Sequence, residues 1–319
     1  MLTLKRERSR NLDNVKWILT LLIVLYHISY MDVNQGNDYL FFMFIKNFGD
    51  CVVPAFTLIS GYLFWRNVDS MQVVKTKMYK RIYTLLIPYL LWNIINSLMF
   101  RDNIDILHNI IFWDSSPHFW YIFMLIVYAV IAPVLYYVYK RNVLIVFMVI
   151  SQLVYIFIKG DNILHSRFIW LLYTWGGLCG VMLPSLIDKM EKTSKDNKVY
   201  LACGSVLLYL LLGVFMSGND ISMGLKVWLY AVRGILLIVG MFWLPLLPFG
   251  KMTDFKYSFW LFAIHYWLDA YVESILWRHF PPMQYQFLTW MVVIVIGLIL
   301  GAVIYRFMPK MFGVLNGNR

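Results

Sequence analysis

Apolar runs long enough to cross a bilayer recur along nearly the whole chain, and this repetition constrains the fold more than any other feature. Hydrophobic residues make up 61% of the 319 residues and charged residues only 14%. This makeup differs strongly from that of a soluble domain. The sequence therefore predicts an all-α, polytopic transmembrane helix bundle that forms a single integral-membrane domain over residues 1–319.

The predicted bundle has about ten spans, so both termini lie on one side of the membrane. With both termini cytoplasmic, the positions on the cytoplasmic side hold 21 of the 28 Lys and Arg residues, as the positive-inside rule requires. The net charge of +11 therefore indicates topology and contact with membrane lipids rather than nucleic-acid binding. The spans cover residues 12–31, 49–65, 82–100, 119–139, 143–159, 168–187, 199–216, 225–246, 256–277 and 286–308.

The first span follows a basic arm and carries one histidine, His27. It is too long for a signal peptide and no small-residue cleavage site follows, so we expect a retained signal anchor. Lys16 precedes His27 by eleven residues, which places both on one helix face about 16 Å apart. An ionisable group inside a bilayer usually faces a partner, a cavity or a substrate path. The structural alternative is that Lys16 reaches the headgroups and His27 hydrogen-bonds to a neighbouring helix.

A basic segment precedes the third predicted span and is expected to be a cytoplasmic loop. It contains Lys75, Lys77, Lys80 and Arg81. Contact with anionic lipid accounts for most residues of this kind. The sharper alternative is a phosphate-binding mouth, because arginine binds phosphate in a fork and lysine binds it as a point charge.

The ninth predicted span carries a polar stripe, because His265, Asp269 and Glu273 follow one another at four-residue steps. Two acids in the outer half of a span need a cavity or a partner. The structural alternative is an ion pair between Asp269 and Arg233 of the eighth span. The functional alternative is an acceptor groove that opens outward, with His265 nearest the chemistry and Trp120 available to stack on a sugar ring.

Three further histidines, His108, His118 and His279, are expected in outer loops or at helix ends. None has a companion four residues away of the kind a helical zinc site uses, so the sequence predicts no metal site.

Five short segments follow one another in a recognisable order. They are NLDNVK leading to VLYH (11–27), VPAFTLISGY (53–62), KRIYTLLIPY (80–89), HFWY (118–121) and SFWLFAIH (258–265). Together they resemble the acyltransferase 3 family of bacterial inner-membrane acyltransferases, whose members also have ten helices. We expect no further domain after the last span, so the resemblance implies a stand-alone membrane form.

The resemblance implies an acyl-CoA donor, usually acetyl-CoA, bound from the cytoplasm, and O-acetylation of an envelope polysaccharide or a lipid-linked sugar. It makes His27 the essential histidine, Lys16 its basic companion and Arg81 the first of a basic pair. It also implies a multi-pass protein of the bacterial inner membrane.

The sequence departs from the family pattern at Thr84, where a second arginine is common. Lys77 and Lys80 are the candidates to replace that arginine in holding the phosphates of the donor.

Acyl transfer from a thioester to an alcohol needs a base for the hydroxyl and donors for the developing oxyanion. His27 suits the first task, because an ordinary histidine pKa of roughly 6.5 leaves much of the ring neutral near pH 7. A covalent acyl-histidine is the alternative mechanism. Two other function classes remain open. A transporter or exporter of a polysaccharide precursor or an acylated small molecule would favour inverted repeats, and a sensing module would tolerate loss of His27.

Overall fold

The computed structural model describes residues 10–28, 51–100, 117–140, 195–218, 223–242 and 256–317, together with a few single positions between these ranges. All regular structure in this part of the chain is helical. A 3-10 turn, Pro117–Phe119, precedes the fourth helix. The α-helices are α1 (Arg10–Ile28), α2 (Val52–Trp65), α3 (Met71–Phe100), α4 (Trp120–Lys140), α5 (Lys195–Gly218), α6 (Met223–Phe242), α7 (Lys256–Leu276), α8 (Pro282–Phe307) and α9 (Pro309–Leu315).

Eight of the ten predicted spans coincide with α1 to α8. The other two, 143–159 and 168–187, lie outside the described residues. Among the described helices, four (α3, α4, α5 and α8) are long and apolar enough to cross a membrane. The all-helical class is confirmed for the described residues and fits a membrane protein, while the count of ten spans and the side of the termini stay predictions.

The helices that carry polar groups lie at the centre of the bundle. In α1 and α7, Leu19 and Ile264 are fully buried. In contrast, only 11% of an apolar 18-residue stretch of α5 is buried, and 22% of the corresponding stretch of α8. These apolar helices therefore have most of their surface exposed, as helices that face lipid would, while α1 and α7 bury Asp13, His265 and Asp269 inside the protein.

The basic segment before the third predicted span is helical, so the prediction of a loop was wrong. Helix α3 is continuous from Met71 to Phe100. Lysine and arginine are good helix formers, and no glycine or proline interrupts the chain between Met71 and Ile87. As a result Lys77 and Arg81 lie one helical turn apart on the same face.

Helices α7 and α8 form an antiparallel hairpin that places α7 against α1. The indole N–H of Trp260 donates to the carbonyl of Gly297 at 2.9 Å. A Cβ atom at Gly301 would lie 2.9 Å from the Trp260 ring, so glycine is needed for this close approach. The indole N–H of Trp290 in α8 donates to the carbonyl of Leu21 in α1 at 3.0 Å. These contacts hold the two functional helices, α1 and α7, side by side.

Candidate active site

A cavity of about 670 Å³ opens between the helices that carry the predicted basic residues. Its lining comes from α1, α2, α3, α4 and α7, and from Asn316 just after α9. We call it the cationic cavity, because its described lining includes four cations and no carboxylate; they are Lys16, Lys77, Lys80 and Arg81. The structure therefore brings together all three residues predicted to bind the donor, Lys16, Lys80 and Arg81.

Lys16 and Arg81 are each held by a neighbouring side chain. The Lys16 ammonium pairs with the Asp13 carboxylate one turn earlier in α1. The Arg81 guanidinium donates a hydrogen bond to the Ser60 hydroxyl of α2. This bond links α2 to α3 and fixes the direction of Arg81 at the wall of the cavity.

Lys77 and Lys80 differ in their surroundings. The Lys77 ammonium donates to the carbonyls of Phe64 at 2.7 Å and Arg66 at 2.5 Å. These carbonyls lie at the C-terminal end of α2, where a cation also complements the helix dipole. Lys80 is exposed at the cavity edge. Lys77 and Lys80 are the two candidates to replace the missing arginine. Lys77 stabilises the end of α2, whereas Lys80 is exposed and is the better placed of the two to contact a phosphate.

Three histidines from distant parts of the chain meet at a second place, and none of them lines the cavity. The ring centroid of His27 lies 5.1 Å from that of His265 and 6.3 Å from that of His118. The rings of His118 and His265 are 4.9 Å apart. We call these three residues the histidine cluster. The ring of Tyr266 stacks on His118 at 5.4 Å and completes the group.

His118 is a site residue that the sequence-based prediction missed. Its expected position at a helix end is correct, because it lies in the turn before α4, but it is 2% exposed and not part of an outer loop surface. The neighbouring aromatic residues of the HFWY segment were the available signal. His279, by contrast, is exposed after α7, and His108 lies outside the described residues.

The hydrogen bonds of the cluster are incomplete within the described part of the chain. His265 is fully buried, and its Nδ1 lies 2.7 Å from the carbonyl of Phe262. A carbonyl oxygen only accepts, so this nitrogen carries the proton. The Nε2 of His265 has no hydrogen-bond partner among the described residues.

Phe262 connects the cavity to the histidine cluster. Its ring lines the cavity and lies 5.3 Å from His118 and 5.9 Å from His265. On α1, Thr20 lines the cavity and His27 follows two turns later, about 10 Å along the axis. Both α1 and α7 therefore run from the cavity towards the histidines.

The acidic residues lie further along α7, past the histidine cluster. Asp269 is 5% exposed, and neither carboxylate oxygen has a hydrogen-bond partner in the described part of the protein. Glu273 is half-buried, and its Oε1 is likewise unpartnered there. Trp120 of α4 is half-buried beside Tyr121, with 6.2 Å between ring centroids, and does not line the cationic cavity.

The suggested ion pair between Asp269 and Arg233 is not formed. The Arg233 guanidinium donates to the carbonyl of Tyr209 at 3.3 Å and lies 4.5 Å from the centroid of that ring. A planar guanidinium combines well with an aromatic face, so this buried cation finds its partner on α5 instead of α7.

Among the described residues, no group of three or more His, Cys, Asp or Glu side chains is arranged to hold a metal ion. This holds for the histidine cluster as well, although its three rings are close together. Imidazole is also the side chain best suited to take up and release a proton near neutral pH. The arrangement of the cluster is therefore compatible with acid–base chemistry.

Comparison with known proteins identifies the family of the chain. The acyltransferase 3 family model, described as an acyltransferase domain, matches residues 9–306. No curated protein and no solved structure matches the chain. The match includes α1 to α7 and nearly all of α8, and so the histidine cluster and every described residue of the cavity lining except Asn316. The chain belongs to the acyltransferase 3 family.

Proposed function

We propose that this protein is a membrane O-acyltransferase that moves an acyl group, acetyl in the first instance, from cytoplasmic acyl-CoA to a hydroxyl of a cell-envelope carbohydrate or glycolipid. The bacterial inner membrane is its proposed location, with both termini in the cytoplasm. The observation that carries the proposal is the cationic cavity, which extends along α1 and α7 towards His27.

The cavity suits the donor because acyl-CoA combines a polyanionic headgroup with a long, uncharged arm. Lys16, Lys80 and Arg81 supply positive charge for the phosphates. The remaining wall is largely apolar and aromatic and includes Phe56, Tyr121 and Phe262. With the phosphates at the cations, the arm can extend along α1 and bring its thioester to the histidine cluster.

His27 acts as the general base in the proposed reaction. It takes the proton of the acceptor hydroxyl as the oxygen attacks the thioester carbonyl. The tetrahedral intermediate then collapses, the C–S bond breaks, and the CoA thiolate takes the proton from His27. The products are the O-acyl ester and free CoA, and the histidine returns to its starting state.

The acceptor approaches from the other end of α7. His265 lies nearest the chemistry, and Asp269 and Glu273 follow it outward. Both carboxylate oxygens of Asp269 and the Oε1 of Glu273, which have no partner among the described residues, can accept hydrogen bonds from sugar hydroxyls. Trp120 offers an aromatic face for a sugar ring.

The test is release of free CoA from acetyl-CoA by the purified protein in lipid membranes supplied with envelope glycans. Wild type is compared with His27→Ala, and thermal unfolding checks that the variant folds. We expect release that depends on the acceptor and that is lost in the folded variant. Failure to release CoA, combined with movement of a labelled lipid-linked sugar across the membrane, would replace the enzyme by a transporter.

A further inference from the structure

We propose that His265 positions His27: the neutral His265 ring accepts a hydrogen bond from a ring N–H of His27 and so fixes which nitrogen of His27 is the base. The inference rests on the proposed function in one respect only, because it assigns the base role to His27. The arrangement of the two rings can be tested without any acyl transfer.

The tautomer of His265 is selected by its own helix. Its Nδ1–H donates to the carbonyl of Phe262 at 2.7 Å, one turn earlier in α7. In a neutral imidazole one nitrogen carries the proton and the other is an acceptor. The bond to Phe262 therefore leaves the Nε2 of His265 as a lone-pair acceptor.

This acceptor is buried and unpartnered in the described part of the chain. His265 has no solvent exposure, and its Nε2 has no hydrogen-bond partner among the described residues. Leaving a buried acceptor without a partner is energetically unfavourable. A donor that reaches it is therefore favoured.

The ring placed to donate to this acceptor is that of His27. The His27 ring centroid is 5.1 Å from that of His265, with a 44° angle between the ring planes. Ring nitrogens lie on the rim of the ring, so centroids at this separation allow two nitrogens to approach to about 3 Å, the length of a hydrogen bond. Catalytic hydrogen bonds are often long in ligand-free structures and shorten when substrate binds.

The other neighbours of His27 fit the role less well. The His118 ring is further away, at 6.3 Å between centroids. The Tyr266 ring is 6.2 Å away and meets His27 edge-on. Among these three neighbours, His265 alone combines the shortest separation from His27 with a fixed acceptor.

The role follows from the needs of a general base. A base works best when a third group holds its ring in one tautomer and supports the charge that it gains. With its N–H held by His265, His27 presents its other nitrogen to the acceptor hydroxyl. When His27 takes the proton, the bond to His265 becomes charge-assisted and stronger.

The direct test is nitrogen NMR of the protein in lipid nanodiscs, with ¹⁵N only in its 6 histidines. The signals of His27 are identified by their absence from His27→Ala. In wild type at neutral pH we expect one protonated and one unprotonated ring nitrogen with separate shifts. In His265→Phe we expect the two signals to average, because the His27 ring loses its acceptor. In His265→Gln, whose side-chain oxygen accepts at a similar reach, we expect separate signals.

His118→Phe is the matched control and should leave the His27 signals separate. Separate signals in a folded His265→Phe, averaged signals in a folded His265→Gln, or averaging in His118→Phe would each overturn the proposal. Kinetics provide a second readout: His265→Phe should lower kcat about 100-fold with the KM for acyl-CoA unchanged, and His265→Gln should recover most of it. If wild type transfers no acyl group, the proposed function fails. The NMR result still decides whether His265 fixes the tautomer of His27.

Discussion

The cationic cavity and the histidine cluster share two helices, α1 and α7, but satisfy their polar groups in opposite ways. In the cavity, Lys16, Arg81 and Lys77 carry charge, and each has a protein partner. In the cluster the three rings can be neutral, and among the described residues His265 bonds to backbone of its own helix. Unpaired charge is expensive in a bundle core, which agrees with the placement of these cations at the cavity, each beside a partner, and of imidazoles in the buried cluster.

The largest expected effect separates chemistry from binding. His27→Ala should lower kcat about 10²- to 10⁴-fold, because a general base contributes that much. The Kd for acetyl-CoA should stay within about twofold, since the cations that bind the donor are intact. Equilibrium binding and steady-state kinetics measure both quantities. Loss of donor binding with kcat retained would reverse the roles of the two regions.

The second prediction is a loss of donor binding with the rate of the chemical step retained. Arg81→Met should weaken acetyl-CoA binding about 10- to 100-fold, because a hydrogen bond to a charged group contributes about 1.5–3 kcal/mol. The rate at saturating donor should be retained. Acetyl-pantetheine, which lacks the adenosine phosphates, should show a smaller loss. Lys75→Met is the control, because Lys75 is exposed on the same helix and does not line the cavity; an equal loss there would indicate a general surface-charge effect.

Asp269→Asn tests whether binding of the acceptor is independent of the cationic cavity and of the histidine cluster. We expect the KM for the glycan acceptor to rise about tenfold, the effect of one hydrogen bond to a carboxylate, with the Kd for acetyl-CoA unchanged. Ser274→Ala, an exposed position on the same helix, should change neither. A change confined to donor binding would remove Asp269 from the acceptor site.

The smallest effect distinguishes two lysines of one helix. Lys77→Met should lower the free energy of unfolding by about 1–2 kcal/mol, because the end of α2 loses two hydrogen bonds. Lys80→Met should leave the unfolding temperature unchanged and weaken donor binding by up to about fivefold, as expected of an exposed charge. Thermal unfolding and donor binding of both variants give the comparison, and identical behaviour of the two variants would contradict it.

The part of the site that could be predicted from sequence is the part set by helical geometry. The eleven-residue spacing of Lys16 and His27 and the four-residue steps of His265 and Asp269 depend only on the repeat of the helix. The structure places Lys16 at the cavity and His27 beside His265.

The missed features depend on contacts between distant segments. His118 meets His27 from another part of the chain, and local pattern contains no information on that contact. The predicted partner of Arg233 was wrong because an aromatic face, as well as a carboxylate, can accommodate a guanidinium. The segment before α3 was predicted as a loop because its charges suggested the membrane surface, although its helix-forming residues continue the span.

The most direct test of the central claim is whether the sulfur end of CoA reaches position 27. A His27→Cys variant is treated with the symmetrical disulfide of CoA, and intact mass measures the mixed disulfide that forms as the protein thiolate displaces CoA thiolate. Wild type gives the background from the native cysteines, of which Cys51 is buried and Cys203 exposed. We predict one additional CoA adduct that acetyl-CoA suppresses and that Ser274→Cys does not form. An adduct no greater than in wild type would contradict the placement of the donor in the cationic cavity with its thioester at His27.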